Sequence, residues 1–214
     1  MTISWYGQSC FKITEQGGHL NLITDPFDKS IGLTPPRISA DIVIVTHSHH
    51  DHNNVSAIAG QPFIINGPGE YEVKGINITG IPAFHDQKQG EERGLNTIYL
   101  IEIDEIKICH LGDLGQEKLT DEQIEQLNEV DILLIPVGGV YTVDAGQAVE
   151  IIEQLEPHLV IPMHYKIPGL KIDLDGVEKF LKEMGVSQKT AIDKLTLKKK
   201  DLTDKEMEVV VMKL

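Results

Sequence analysis

The chain has 214 residues, with 33 Asp and Glu against 19 Lys and Arg, giving a formal net charge of −14. That length suits one domain or two tightly joined halves, and the acidity argues against a general nucleic-acid surface, which needs a basic stripe. Apolar residues make up 41% but aromatics only 5%, so Ile, Leu and Val must pack the core; no run approaches the roughly 18 apolar residues of a membrane span.

In chain order, the start lacks a basic region leading into a long apolar segment, so no signal peptide is expected and the compartment is read as cytoplasmic. Phe11 and Ile13, then Leu20, Leu22 and Thr24, alternate with polar neighbours around a Gly17-Gly18 turn and read as strands. Asp25-Pro26 ends the second run; Asp25 is either a turn residue or an acceptor that fixes the tautomer of a ligand imidazole. Residues 28–40 read as loop around Pro35-Pro36. Ile42–Val45 is a buried strand that runs straight into Thr46-His47-Ser48-His49-His50-Asp51-His52. In extended backbone His47 and His49 face one side, Ser48 and His50 the other. A turn after His50 would bring Asp51 and His52 back toward the first pair. One ion rarely takes four ligands from so short a segment, so two ions sharing it is the simpler reading.

Asn53 or Asn54 is expected to cap a short helix through Ile58, stopped by Gly60. Phe63-Ile64-Ile65 reads as a strand, and Asn66-Gly67-Pro68-Gly69 as a hairpin turn rather than a phosphate loop, because it has no Lys-Ser/Thr and no helix behind it. An alternating strand follows around Tyr71, Val73, Ile76 and Ile78. Ile81-Pro82-Ala83-Phe84 leads to His85 and a polar loop from Asp86 to Arg93. Strands Thr97–Ile103 and Ile106–Leu111 are joined by Asp104-Glu105, and the second delivers His110 and Gly112-Asp113. His110 either faces the site, as a catalytic or supporting contact, or simply sits in the sheet. Thr120 with Gln123, and Asp144 with Gln147, form capping pairs for two helices; Pro157 stops the second. Between and after them lie strands Ile132–Val137 and Leu159-Val160-Ile161, the latter ending at Pro162-Met163-His164. Asp175 is expected to cap a third helix with Gly185 past its end. Ile192–Leu197 and Glu208–Met212 are strand-like, with Lys198-Lys199-Lys200 a solvated turn between them. Cys10 and Cys109 belong to no Cys-x-x-Cys pair; buried free thiols are expected, a disulfide being the alternative. No internal linker divides residues 1–214.

Three buried strands thus end in a ligand-type residue, at His47, Asp113 and His164, and a shorter apolar run ends at His85. Ligands on strand ends at one edge of packed sheets converge and are held stiffly. The His cluster, together with Trp5-Tyr6-Gly7-Gln8-Ser9-Cys10-Phe11, Thr24-Asp25-Pro26-Phe27, Pro68-Gly69-Glu70-Tyr71, His85, Gly112-Asp113 and Pro162-Met163-His164, resembles the metallo-β-lactamase superfamily, in particular its small lactonase-like hydrolases, the branch that includes ascorbate-6-phosphate lactonase.

The resemblance implies a four-layer αββα sandwich of the α/β class, with His47, His49 and His85 on one divalent ion, Asp51, His52 and His164 on a second, and Asp113 bridging. His50 falls outside that pattern and is left to pack or cap. Imidazole and carboxylate ligands suit zinc first, manganese second, and also iron. Two such ions roughly 3.5–4 Å apart would generate a hydroxide near pKa ~7 to attack a lactone, ester or phosphodiester, with Asp51 orienting it. Two dications against two carboxylates and a hydroxide leave about one positive charge, which favours a small anionic substrate. Lys166 is read as solvated, or else as touching that anion. Nucleic-acid and membrane partners are not expected, and homo-oligomerisation is left open. The competing class is a non-catalytic metal-binding or regulatory protein that retains the fold.

Overall fold

Short runs rich in Ile, Leu and Val, punctuated by Gly, Asp and Pro, become strands in the computed structural model, which describes residues 1–187, 190–203 and 206–214. The strands are β1 (Thr2–Trp5), β2 (Phe11–Thr14), β3 (Asn21–Thr24), β4 (Ile42–Ile44), β5 (Phe63–Ile65), β6 (Gly69–Val73) and β7 (Ile76–Phe84). They continue with β8 (Leu95–Ile103), β9 (Ile106–His110), β10 (Ile132–Pro136), β11 (Leu159–Met163), β12 (Leu195–Thr196) and β13 (Glu208–Val209). One sheet has the order β12-β1-β2-β3-β4-β5 and the other β13-β11-β10-β9-β8-β7-β6.

The pairing directions place the site. β6 to β9 pair antiparallel, whereas β9, β10, β11 and β13 run parallel. β7, β9, β10 and β11 therefore share one direction, and their C-terminal ends lie on one edge of the sheet. Parallel strands covered on both faces read as continuous apolar runs, which is why Ile132–Pro136 and Leu159–Met163 are buried at every position.

Facing residues of the two sheets, such as Ile13, Leu22, Ile44, Ile78, Ile101 and Leu134, form the main core. Helix α2 (Ala145–Leu155) buries Ala148, Ile151 and Ile152 and packs on β10, with α3 (Val177–Glu183) against it. A short α1 (Asp121–Gln126) precedes β10, and the expected capping boxes start α1 and α2. The outer face of the six-stranded sheet is covered differently. Ile23, Val43 and Val45 pack there against Phe27, Ile31, Leu33, Leu170 and Leu174, all from irregular segments or a 3-10 turn. The layers of the α/β sandwich are present, but the outer layer on this side is thin. No helix among the described residues is long and apolar enough to cross a membrane.

Several local expectations are corrected. Asn54 caps no α-helix: a single 3-10 turn, Val55–Ala57, follows it, and its side chain instead donates to Phe27 O at 2.9 Å. Residues 66–68 are not a hairpin turn, because β5 and β6 belong to different sheets and this segment crosses between them. The hairpin lies at Lys74-Gly75 (φ 53° and 83°), and the expected one at Asp104-Glu105 has φ 54° and 64°, the left-handed pair that two-residue hairpins favour. The N-cap of α3 is Gly176, and Asp175 instead pairs with Lys179 at 2.6 Å. Lys199 is not merely solvated: its ammonium lies 2.7 Å from the buried carboxylate of Asp131. Lys166 is exposed, as expected, and its ammonium donates to the carbonyls of Leu170 and Ile172 at 2.9 and 2.7 Å. Both cysteines are free and buried.

Candidate metal centre

β4 hands over to the histidine cluster through Val45 and Thr46. A turn follows, with the amides of His52 and Asn53 both donating to His49 O at 3.0 and 3.1 Å. It returns Asp51 and His52 toward His47. From the facing sheet, β7 delivers His85, the end of β9 leads to Asp113, and β11 delivers His164. Close approach fixes these ends. At Gly112 (φ +57°) a Cβ would stand 2.5 Å from Asn96 Oδ1, and at Gly115 it would meet the His85 carbonyl at 2.3 Å.

Asp113 is the hub. Its Oδ2 lies 3.2 Å from Nε2 of His52, 3.4 Å from that of His85, 3.2 Å from that of His164 and 4.0 Å from that of His47. The ligand-type atoms fall into two groups, His47 with His49 and His85, and Asp51 with His52, Asp113 and His164; within each group they lie within 4.8 Å of one another. His49 is the most solvent-exposed of the seven, and His52, His85, Asp113 and His164 are almost fully covered. The grouping agrees with the ligand sets implied by the resemblance, with Asp113 among the second set and reaching the first.

The far edges of two of the imidazoles, His47 and His52, are held as metal ligands usually are. Thr46 Oγ1 sits 3.0 Å from His47 Nδ1, which leaves His47 Nε2 buried and without a hydrogen-bond partner. Such an orphan, facing carboxylates and other imidazoles, fits a cation. Asp25 is the expected acceptor: its Oδ2 lies 3.1 Å from His52 Nδ1. Its carboxylate also accepts from Thr46 N at 2.8 Å and Thr46 Oγ1 at 2.9 Å. His110 is corrected here. It is fully buried, with Nε2 3.0 Å from Asp25 Oδ2 and its ring edge-on to Phe11, so it backs Asp25 and does not face the cleft. It is the last residue of β9, and its side chain points into the core between the two sheets. His50 neither packs nor caps; its side chain is exposed at the cleft mouth.

Burial and the neighbouring charges set the protonation. Burial, reinforced by His52, pushes His47 down to about 3, and burial lowers His85 as well. Both imidazoles are thus neutral near pH 7, as ligation requires. Burial works against the charged forms of Asp25, Asp51 and Asp113, yet adjacent imidazoles outweigh it and hold all three below the ordinary carboxylate range. His52 is the converse case. Burial would lower it, but Asp113 and Asp25 on its two sides raise it well above its usual value.

Two further contacts come from the Trp5–Phe11 segment, to whose residues the sequence assigned no role. Gln8 Nε2 donates to Asp51 Oδ2 at 3.3 Å, and Ser9 Oγ to Asp113 Oδ1 at 3.5 Å, across separations of 43 and 104 residues. Gln8 (φ 50°), Asp25 (φ 40°) and His164 (φ 50°) all adopt left-handed backbone, a strain that concentrates at functional sites. The ligands floor a cleft of about 520 Å³ whose walls include Arg93, Tyr141 and Lys171.

A two-sheet sandwich with imidazoles and carboxylates converging at one strand edge is the architecture of a metal-dependent hydrolase. Residues 2–164 match the model of the β-lactamase superfamily domain. A metal-dependent hydrolase of Thermoplasma volcanium is 32% identical over 76% of this chain and 82% of its own length. One from Methanopyrus kandleri is 26% identical, covering 90% of this chain and 96% of its own. The crystal structure of a metallo-β-lactamase superfamily protein from Thermotoga maritima, 35% identical, covers 99% of both chains with a TM-score of 0.79. The chain belongs to the metallo-β-lactamase superfamily, and it is a metal-dependent hydrolase.

Proposed function

We propose that the site is dinuclear and hydrolyses a lactone, ester or phosphodiester bond in a small anionic substrate, rather than acting on nucleic acid or at a membrane. His47, His49 and His85 would hold one ion, Asp51, His52 and His164 the other, with Asp113 between. The observation that carries this reading is the convergence of the Nε2 atoms of His52, His85 and His164 within 3.4 Å of Asp113 Oδ2. With no thiolate in the set, zinc is the first expectation and manganese the second, with iron compatible; zinc dependence has been put forward for the Thermotoga maritima relative. When bound, such ions bring a water toward a neutral pKa and draw charge from the carbonyl or phosphoryl oxygen of the scissile bond.

The chain's own groups do the positioning. Gln8 and His52 contact Asp51 and fix its carboxylate toward the cleft. Ser9 and the backbone of Asp113, whose N–H donates to Asn96 Oδ1 at 3.1 Å, set the central carboxylate. Asp25 holds His52 from behind. Asp51 is the group placed to orient the attacking nucleophile, being a ligand-type carboxylate on the cleft wall.

The test is metal content per chain, together with hydrolysis of a lactone panel and a generic phosphodiester, with and without chelator. About two ions per chain with chelator-sensitive turnover support the reading. Two ions with no turnover on any class would point to a non-catalytic metal protein.

A further inference from the structure

Beyond the ligands, the cleft walls carry two cations and a phenol: Arg93, Lys171 and Tyr141. In a chain of net charge −14 with 19 basic residues in all, an arginine and a lysine on the walls of this cleft call for a reason. Each of the three stands on irregular backbone that is pinned at some cost.

Arg93 ends the loop after His85. The Asp86 carboxylate accepts from four amides of that loop, those of Lys88, Gly90, Glu92 and Arg93, at 2.8 to 3.0 Å. Burial opposes the charge on Asp86, but these N–H groups lower its pKa. The guanidinium carbon lies 5.6 Å from the centre of the Tyr141 ring, in cation–π range. Tyr141 follows Val140, whose φ of +60° is a genuine outlier for a β-branched residue, and its amide donates to Gly139 O at 2.6 Å. Lys171 sits in the segment that the Lys166 ammonium clamps through Leu170 O and Ile172 O, and its own amide donates to Ile31 O at 2.8 Å. Two carboxylates stand nearby: Glu92, 3.7 Å from Arg93 but also 2.6 Å from Lys88, and the exposed Asp173 on the cleft wall.

We propose that Arg93, Lys171 and the Tyr141 hydroxyl form an oxyanion-recognition subsite of the cleft, which takes a carboxylate or phosphate carried by the substrate away from its scissile bond. The proposal rests on the hydrolase reading above and names the substrate class: a lactone or ester bearing a second, non-reacting anionic group. Arg93 supplies the planar fork that matches an oxyanion, and Lys171 a point charge.

The test uses metal-loaded protein and calorimetric titration of three unreactive probes: glutarate, its monomethyl ester, and 3-phosphonopropionate. Each offers a carboxylate to the metal centre; the ester lacks the second anion. Glutarate or the phosphonate should bind roughly ten- to hundredfold tighter than the monoester, the worth of one to two charge-assisted hydrogen bonds. In Arg93→Gln that preference should collapse, and in Lys171→Gln it should shrink. A tighter phosphonate assigns phosphate, and a tighter glutarate assigns carboxylate. Equal affinity for all three probes, no binding of any, or a preference untouched in both variants would overturn the subsite. Because the readout is binding, a selective cleft in a protein that hydrolyses nothing would sink the hydrolase reading and leave the subsite standing.

Discussion

At the scale of single residues, position relative to Asp113 separates the histidines. His47, His52, His85 and His164 face it; His50 is exposed beside them. Asp51→Ala should weaken one metal position and abolish turnover while leaving the far-ultraviolet circular dichroism unchanged; metal analysis with a kinetic assay checks this. His50→Ala should keep activity within a few fold, and a loss as large as that of His49→Ala would mean the alternation along residues 47–50 is misassigned. Asp25 and His110 act through His52. Asp25→Asn keeps the size but weakens the acceptor, and losing such a partner typically costs about 10–100-fold in metal affinity. Competition against a chromophoric chelator measures it. His110→Gln should give a smaller loss, since the Thr46 donors to Asp25 remain.

At the scale of elements, the site stands on rigid strand ends and its walls on pinned loops. Replacing Asp86 by Asn substitutes an NH2 group for one of two acceptor oxygens that each take two amides. Asp86→Asn should therefore lower the urea midpoint, and amide exchange should quicken across residues 88–93. Val140 is the opposite case. It is 59% exposed, so little packing is lost on changing it, and its left-handed φ is strained. Val140→Asn, which tolerates that conformation, should stabilise the protein by about 1 kcal/mol, read as a higher melting temperature. A decrease would show that the backbone at Val140 is held by packing stronger than its strain.

For the whole molecule, folding and metal binding are linked. Asp25 and Asp113 have folded-state pKa values below their unfolded ones. Their contribution is therefore present above about pH 4 and is lost as pH falls through the folded values. His52 has the opposite sign: raised in the fold, it contributes fully below about pH 6.5 and loses that contribution as pH climbs past its folded value. His47 and His85, lowered in the fold, contribute fully above about pH 6.5 and lose that contribution as pH falls. Chelated protein should thus be most stable near about pH 6.5 and weaken toward acid, as urea midpoints across pH would show. Metal at a hundredfold over its dissociation constant should add about 2.7 kcal/mol near neutral pH. An unchanged melting temperature on metal addition would contradict a preformed site.

The sequence by itself determined what is local or periodic. The spacing of residues 47–52, the apolar runs that became β4, β9, β10 and β11, and both capping boxes could be read because strand alternation and helix caps depend on neighbours a few residues away. Where the sequence misled, the deciding partner was distant. The segment 66–68 has turn chemistry, but whether it closes a hairpin or crosses between sheets depends on which strand each neighbour joins. His110 looks like the other strand-end histidines, yet the register that sets it opposite Tyr99 and Leu134 turns it toward Asp25. Arg93, Tyr141 and Lys171 carry no motif, and only the strand order of the seven-stranded sheet brings the loops after β7, β10 and β11 to one edge and one cleft. Tertiary structure decides such cases because side chains that meet there are separated by tens of residues of chain, and nothing in a local window records the meeting.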